Sequence, residues 1–422
     1  MRLIDNHALI LAAQKAEKIL PLFIYDHNQQ NGSKNFLKIQ EEALDDLSKY
    51  ISNLGGHLVK IYGTPYKVVR FLINQYKPKY VAFNIDYSSY SNQRDLAIAE
   101  VCKELNVELI LAHDVMMTET AFVKQFFLFQ KEILSKTIIV KKLEAINFED
   151  MRFPQEKSNL LIVANKIPIV ATRKWALDRI KKFVENPTEL FQKSKMENTM
   201  ISAHLKLGLI SAREVYKYAE KHNCGYLINQ LIWREFWFAL ARTKQNHYDF
   251  YDVRFKLMQW INDPKETKKM WTGKTGYPLI DASMNELNKT GFMWNRGRML
   301  VGFFSVKILR INPFLPPQKD HKWHMGGQAY FSQKLIDCCY ANNTGNWHWV
   351  ASDTVDVAGQ RYSAGWAGRP MNVTKYKYSD NTWSFSDEEY LKKWLPEYKD
   401  YDEEKIVDFT ERWKQWLLIT RT

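Results

Sequence analysis

Cysteine is scarce in this chain: four among 422 residues (Cys102, Cys224, Cys338, Cys339), with no CxxC pair. That excludes a disulfide framework and a cysteine-built zinc site and fits a reducing compartment, so no metal is expected. Long apolar runs are missing too, since nothing reaches the ~18 residues that a membrane-crossing helix needs. The opening MRLIDNHALI is too polar for a secretory signal. The expectation is a soluble intracellular protein, cytoplasmic or nuclear. No GxGxxG, P-loop, HExxH or GxSxG pattern occurs, which leaves the common dinucleotide, nucleotide-triphosphate, zinc-protease and serine-hydrolase chemistries without support. Acidic residues are outnumbered, 47 against 60 Lys plus Arg, and the resulting charge of +13 favours a polyanionic partner such as nucleic acid.

Tryptophan is absent from the first 174 residues, and 13 of the 14 lie beyond residue 232. A length suited to two or three domains therefore divides into halves of different character. In the first, short apolar runs at Pro21 to Tyr25, His57 to Tyr62, Tyr80 to Asn84 and Val107 to Ala112 alternate with helix-period segments at Asn35 to Leu54, Pro65 to Gln75 and Ser91 to Leu105. This alternation predicts a parallel, Rossmann-like α/β sheet. A helix from about Asp5 to Glu17 stands where a first strand is expected, so that strand is expected to be missing. Residues 115–170 read as an irregular connector with isolated apolar runs at Thr137 to Val140 and Leu160 to Ala164. Beyond it the helical period dominates. Ser211 and Glu214 form a capping-box pattern for a helix ending near Gly225, and a second helix runs from about Leu227 to Arg242. The expected division is 1–114 (α/β), 115–170 (connector) and 171–422 (mostly helical).

The informative stretches are LIWREFW (231–237), TGKTGYPLIDASMNEL (272–287), TGFMWNRGRM (290–299) and LIDCCYANNTGNWHW (335–349). With MRLIDNHAL at the start and NIDYSSYSNQRD at 84–95, they resemble in order the photolyase/cryptochrome flavoprotein family, and most of all its class I cyclobutane pyrimidine dimer photolyases. The resemblance implies an α/β domain, a long connector and a helical domain holding FAD. It also implies light-driven electron transfer from reduced flavin to a pyrimidine dimer flipped out of DNA; photolyases are themselves among the base-flipping enzymes, because a stacked base cannot reach a buried cofactor. A second, antenna chromophore is left unassigned, and a monomer is expected.

Residue by residue, the resemblance gives phosphate and ribityl contacts to Asn198, Thr199 and Ser202, a flavin-side ion pair to Arg298 and Asp337, and the place facing the reactive flavin nitrogen to Asn343. A neutral Asn there resembles the repair enzymes. Cys339 stands where the family has a second acid, which removes a charge and a hydrogen-bond acceptor. Trp347, Trp323 and Trp260 match the electron-transfer chain, in order from flavin to surface. The dimer and its DNA fall to Gln230, Trp233, Arg234, Phe292, Asn295, Arg296, Met299 and Trp349. Aromatic faces suit a flipped base and arginine suits phosphate. Gln230 replaces the Glu of cyclobutane enzymes and weakens the contact to the two thymine imides. GFMWNR nevertheless resembles their GWMHNR and lacks the paired histidines of (6-4) enzymes. The rival expectations are a cryptochrome-like photoreceptor without repair, and a DNA-binding module that has lost FAD.

Overall fold

A computed structural model describes residues 1–27, 33–120, 125–143, 145–149, 167–185, 199–243, 258–319, 322–351, 375–377, 384–386 and 388–421. The chain forms two compact units, one of Met1–Ala164, Ile169–Leu190 and Thr199–Gln245, the other of Asn165–Pro168, Phe191–Asn198 and Asn246–Thr422. Composition places its break near residue 170, whereas the helices between 173 and 243 belong to the first compact unit.

In the first unit α1 (His7–Lys15) is followed by β1 (Leu22–Tyr25), α2 (Lys34–Asn53), β2 (Val59–Tyr62), α3 (Pro65–Tyr76), β3 (Tyr80–Ile85), α4 (Ser89–Glu104) and β4 (Glu108–His113). β1 pairs parallel to β2, from Leu22 opposite Val59 to Tyr25 opposite Tyr62, and β3 parallel to β4, from Tyr80 opposite Glu108 to Ile85 opposite His113. The crossover helices follow from side-chain spacing: α2 buries Ile39, Ala43, Leu44 and Ile51, and α3 buries Val68, Val69, Leu72 and Ile73. Polar caps set their starts. The side chains of Asn6, Ser33 and Ser88 each accept a backbone N–H from the first turn of α1, α2 and α4, and Pro65 opens α3, where a missing N–H costs nothing.

The connector holds more order than its sequence suggests, because α5 (Phe126–Leu134) is a helix anchored by fully buried Phe129 and Ile133, one turn apart. The apolar run 137–140 is not a strand, and 160–164 lies outside the described residues. The helical part of this unit comprises α6 (Arg173–Glu185), α7 (Ser202–Leu207), α8 (Ala212–Lys221) and α9 (Gly225–Thr243). The capping box at α8 forms in both directions, Glu214 N–H to Ser211 Oγ at 3.0 Å and Ser211 N–H to Glu214 Oε2 at 2.9 Å.

The second unit contains α10 (Pro264–Thr272), α11 (Pro278–Thr290), α12 (Asn295–Phe303) continued by a π-helical turn at Phe304–Ile308, α13 (Gly327–Lys334), α14 (Tyr340–Val350), a short antiparallel pair β5 (Lys375–Lys377) and β6 (Ser384–Ser386), α15 (Glu388–Trp394) and α16 (Phe409–Arg421). Trp271, Phe303, Phe304, Met284 and Leu287 are fully buried at its centre. The KTGYPLID stretch is explained by packing. Buried Asp281 accepts from the N–H groups of Thr275 and Gly276, from Thr275 Oγ1 at 2.8 Å and from the Tyr401 hydroxyl at 2.7 Å. Gly276 has φ +77°, and a Cβ there would lie 2.7 Å from the backbone of Glu403 to Lys405.

Candidate functional site

In the first unit, α9 carries the LIWREFW residues. Gln230 is exposed and makes no hydrogen bond among the described residues, while Trp233, one turn on, is half-buried with its ring stacked on Phe126 of α5 at 3.5 Å between centroids. One indole face is thus covered from within the unit. Arg234 is placed differently from the expected DNA contact. Its Nη1 donates to Val115 O at 2.8 Å and to Glu235 at 3.0 Å, and its guanidinium lies over the Phe238 ring. It therefore ties α9 to the chain after β4. Glu235 is fully buried and accepts the Met117 N–H at 2.6 Å; burial raises its carboxyl to about 7 against the opposing pull of Arg234 and Met117.

Sequence reasoning missed a second buried network in this unit. Arg213 of α8 donates to Asp5 at 2.7 Å and to Asp114 at 2.7 Å, and Arg2 bridges Asp114 and the Asp5 carbonyl. Burial alone would raise Asp5, but hydrogen bonds from His7 and Ser211 and the Arg213 charge hold it at about 2. Three distant sequence positions make this cluster, and nothing in their local pattern announces it. Thr199 precedes α7 and Ser202 is its exposed first residue; Asn198 lies outside the described residues.

In the second unit, the start of α12 is held from behind. Glu286 of α11 accepts the Trp294 N–H at 3.1 Å and the Tyr390 hydroxyl at 2.7 Å, and burial keeps its carboxyl above the usual range. This fixes the turn that presents Asn295 and Arg296 to solvent, with Met299 one turn later and in contact with Asn295 through its sulfur at 3.5 Å. Glu286 sits in the conspicuous DASMNEL stretch, which was the available signal for it. Phe292 is buried and lies beneath the Arg298 guanidinium at 5.4 Å.

Arg298 and Asp337 do meet, Nη2 to Oδ2 at 2.8 Å, and Arg298 Nε also donates to Met293 O at 2.8 Å. The guanidinium is thereby locked in orientation while staying about a quarter exposed, and its Nη1 bonds no described residue. Such a donor suits a planar heteroaromatic ring with carbonyl and imine acceptors. Cys339 caps α14 without a side-chain cap bond, so the position offers a small thiol and no carboxylate. Asn343 is fully engaged: its amide donates to Gln328 O at 2.9 Å and to Ser332 Oγ at 3.0 Å, and its carbonyl accepts the Trp347 indole N–H at 3.0 Å.

The three chain tryptophans belong to one packed region. Trp347 is buried edge-on against Phe331 of α13, and it fits because of Gly327, where a Cβ would lie 2.1 Å from its ring. The adjacent α13 residue, Tyr330, contacts Trp323 at 6.2 Å and stacks on Trp271 at 4.9 Å. The residue after Trp323, His324, is bonded to Asn262 O at 2.9 Å, two residues past half-exposed Trp260. Trp349, by contrast, is half-buried on another side of α14 from Trp347.

Residues 1–126 match a family model described as DNA photolyase, and residues 226–418 one described as the FAD binding domain of DNA photolyase. A deoxyribodipyrimidine photo-lyase of Buchnera aphidicola subsp. Baizongia pistaciae is 28% identical over 403 residues, covering 84% of this chain and 80% of its own. A cryptochrome DASH of Gloeobacter violaceus is 26% identical over 447 residues, covering 94% and 84%. Among solved structures, an archaeal photolyase of Sulfolobus tokodaii with two FAD molecules superposes with a TM-score of 0.80 at 26% identity, covering 100% of this chain and 97% of that one. A class III photolyase of Agrobacterium tumefaciens shares the fold, with a TM-score of 0.81 at 20% identity, covering 100% and 95%.

Proposed function

Because the chain belongs to the photolyase/cryptochrome flavoprotein family and carries its FAD-binding domain, we propose that it is a blue-light-dependent DNA photolyase acting on cyclobutane pyrimidine dimers. Bound FAD supplies the light-excited one-electron chemistry. The chain's own residues do the rest. Arg298, fixed by Asp337 and Met293 O, would donate to the edge of the flavin ring.

The observation that carries the repair reading is the buried carboxamide of Asn343, held by three hydrogen bonds and joined directly to the Trp347 indole. A carboxamide cannot deliver a proton as an acid can, so this position offers the cofactor no acid and suits return of the electron after splitting. Exposed Asn295 and Arg296 and half-buried Met299, all of the second unit, are proposed to contact the flipped lesion and its backbone. Arg296 would grip phosphate, whereas Arg234 and Phe292 are assigned support of α9 and of Arg298. Trp260, Trp323 and Trp347 are proposed to refill the flavin with electrons.

The test is binding and turnover on one oligonucleotide carrying a single cyclobutane thymine dimer. Tighter dark binding than to the undamaged strand, falling steeply with salt, and splitting only in blue light are expected. FAD-loaded protein that binds but does not split would favour photoreception, the reading that Gln230 and Cys339 support.

A further inference from the structure

Beyond Trp260 stands another indole. Trp416 of α16 lies 6.5 Å from Trp260 between ring centroids, well within contact for an electron hop, but it is buried to 3% exposure while Trp260 is half-exposed. Beside it, in the π-helical turn, the Lys307 ammonium is itself only 3% exposed, 5.9 Å from the Trp416 ring and 5.7 Å from that of Phe303. We propose that Lys307 ends the tryptophan chain at Trp260, by placing a buried positive charge against the indole that would otherwise become its next member. The inference rests on the reading of Trp347, Trp323 and Trp260 as an electron relay.

The step concerned is a single one-electron exchange. When photoexcited oxidised flavin has drawn an electron through the relay, Trp260 is left as a radical cation. Transfer from Trp416 would reduce Trp260 and oxidise Trp416, with no proton moved. The product would set an indole radical cation beside a buried ammonium. At 5.9 Å and an effective dielectric of about 20, the repulsion on Trp416 taken alone amounts to roughly a hundredfold, and the bias against the hop is its excess over the weaker repulsion that Lys307 exerts on Trp260. Burial acts in the same direction by withholding the water that would solvate the radical cation. Lys322 and Lys334 also approach an indole, at 5.1 and 6.0 Å from Trp323, but Lys322 is exposed and Lys334 half-exposed, and water screens such charges. Burial lowers the Lys307 ammonium only to about 8, so it keeps its charge at neutral pH.

The test compares wild type, Trp416→Phe, Lys307→Met and the double variant of the full chain by flash photolysis of the FAD-loaded protein. Trp416→Phe alone is expected to leave the tryptophan-radical lifetime unchanged. Lys307→Met should lengthen that lifetime, and adding Trp416→Phe should restore the wild-type value. Independently of flavin, a photogenerated one-electron oxidant in solution followed by peptide mass spectrometry should mark Trp260 but not Trp416 in wild type, and both in Lys307→Met. A shortened lifetime in Trp416→Phe alone, which needs no change at Lys307, would overturn the proposal, as would an unmarked Trp416 in folded Lys307→Met. Absence of any tryptophan radical in wild type would instead overturn the relay reading beneath it.

Discussion

The two units solve the same problem, fixing side chains in one arrangement, with opposite chemistry. In the first, charge is buried: Asp5, Asp114, Arg2 and Arg213 interlock beneath the surface and Glu235 sits fully enclosed. In the second, aromatic rings are buried and the Arg298–Asp337 pair stays partly open on its arginine side. The difference follows from what each must hold. Ion networks are directional and tie distant chain segments to one register, whereas indoles offer polarisable faces and redox activity that a charge beside them would disturb. Lys307 is a cation buried among the rings of the second unit, and its proposed role uses that disturbance.

That contrast can be broken most sharply at Trp347. Trp347→Phe should abolish photoreduction of oxidised flavin while FAD remains bound, read by absorbance under blue light; undiminished photoreduction would remove the relay from the account. Next in size is the ion network, where Arg213→Met leaves buried Asp5 without its arginine partner and Asp114 with Arg2 alone. A loss of about 3–5 kcal/mol is expected in denaturant titration, and a loss within error would mean that solvent reaches the cluster.

Gly327→Ala brings a methyl into the Trp347 ring and should cost about 1–3 kcal/mol by overpacking, with slower photoreduction as the sign that the ring has moved. The smallest effect is on pH dependence, and its sign differs between two carboxylates of the same unit. Asp5, held at about 2 against an ordinary 3.8, contributes stability above pH 4 that is lost as pH falls toward 2. Glu235, raised to about 7 from 4.5, has the reverse effect: its contribution is complete below pH 4.5 and is lost as pH rises through 7. A decline of melting temperature between pH 5 and 8 is expected in wild type, and Glu235→Gln should flatten it; an unchanged slope would assign that decline elsewhere.

The sequence revealed what is periodic or contiguous. The four strands and their crossover helices lie within two residues of where alternation and apolar spacing put them, because each is encoded locally. The Arg298–Asp337 pair was reachable through the family's motifs, and the two side chains do meet. Helix α5 was missed because FFLFQKEIL is apolar on too many sides to show a clean period, its exposed Phe127 and Leu128 blurring the stripe formed by Phe129 and Ile133. The resemblance gives Arg234 and Phe292 as lesion and DNA contacts, and motif position says nothing of what their side chains also touch. The Asp5–Arg213 network and the meeting of Lys307 with Trp416 are tertiary facts, made by residues far apart in the chain, as is the Tyr390 hydroxyl that shares Glu286 with nearby Trp294. The stretch DTVDVAGQRYSAGWAGRPMN (353–372), longer than the resemblance implies, lies outside the described residues.

The most direct test of the central claim uses protein purified in the dark and chemically reduced, with FAD confirmed by its spectrum, and the single-dimer oligonucleotide with and without blue light. Wild type and Trp347→Phe should both split the dimer in the light and neither in the dark, since the relay serves to refill the flavin and pre-reduction makes that unnecessary. Intact dimer after illumination of FAD-loaded, reduced wild type would contradict repair of this lesion.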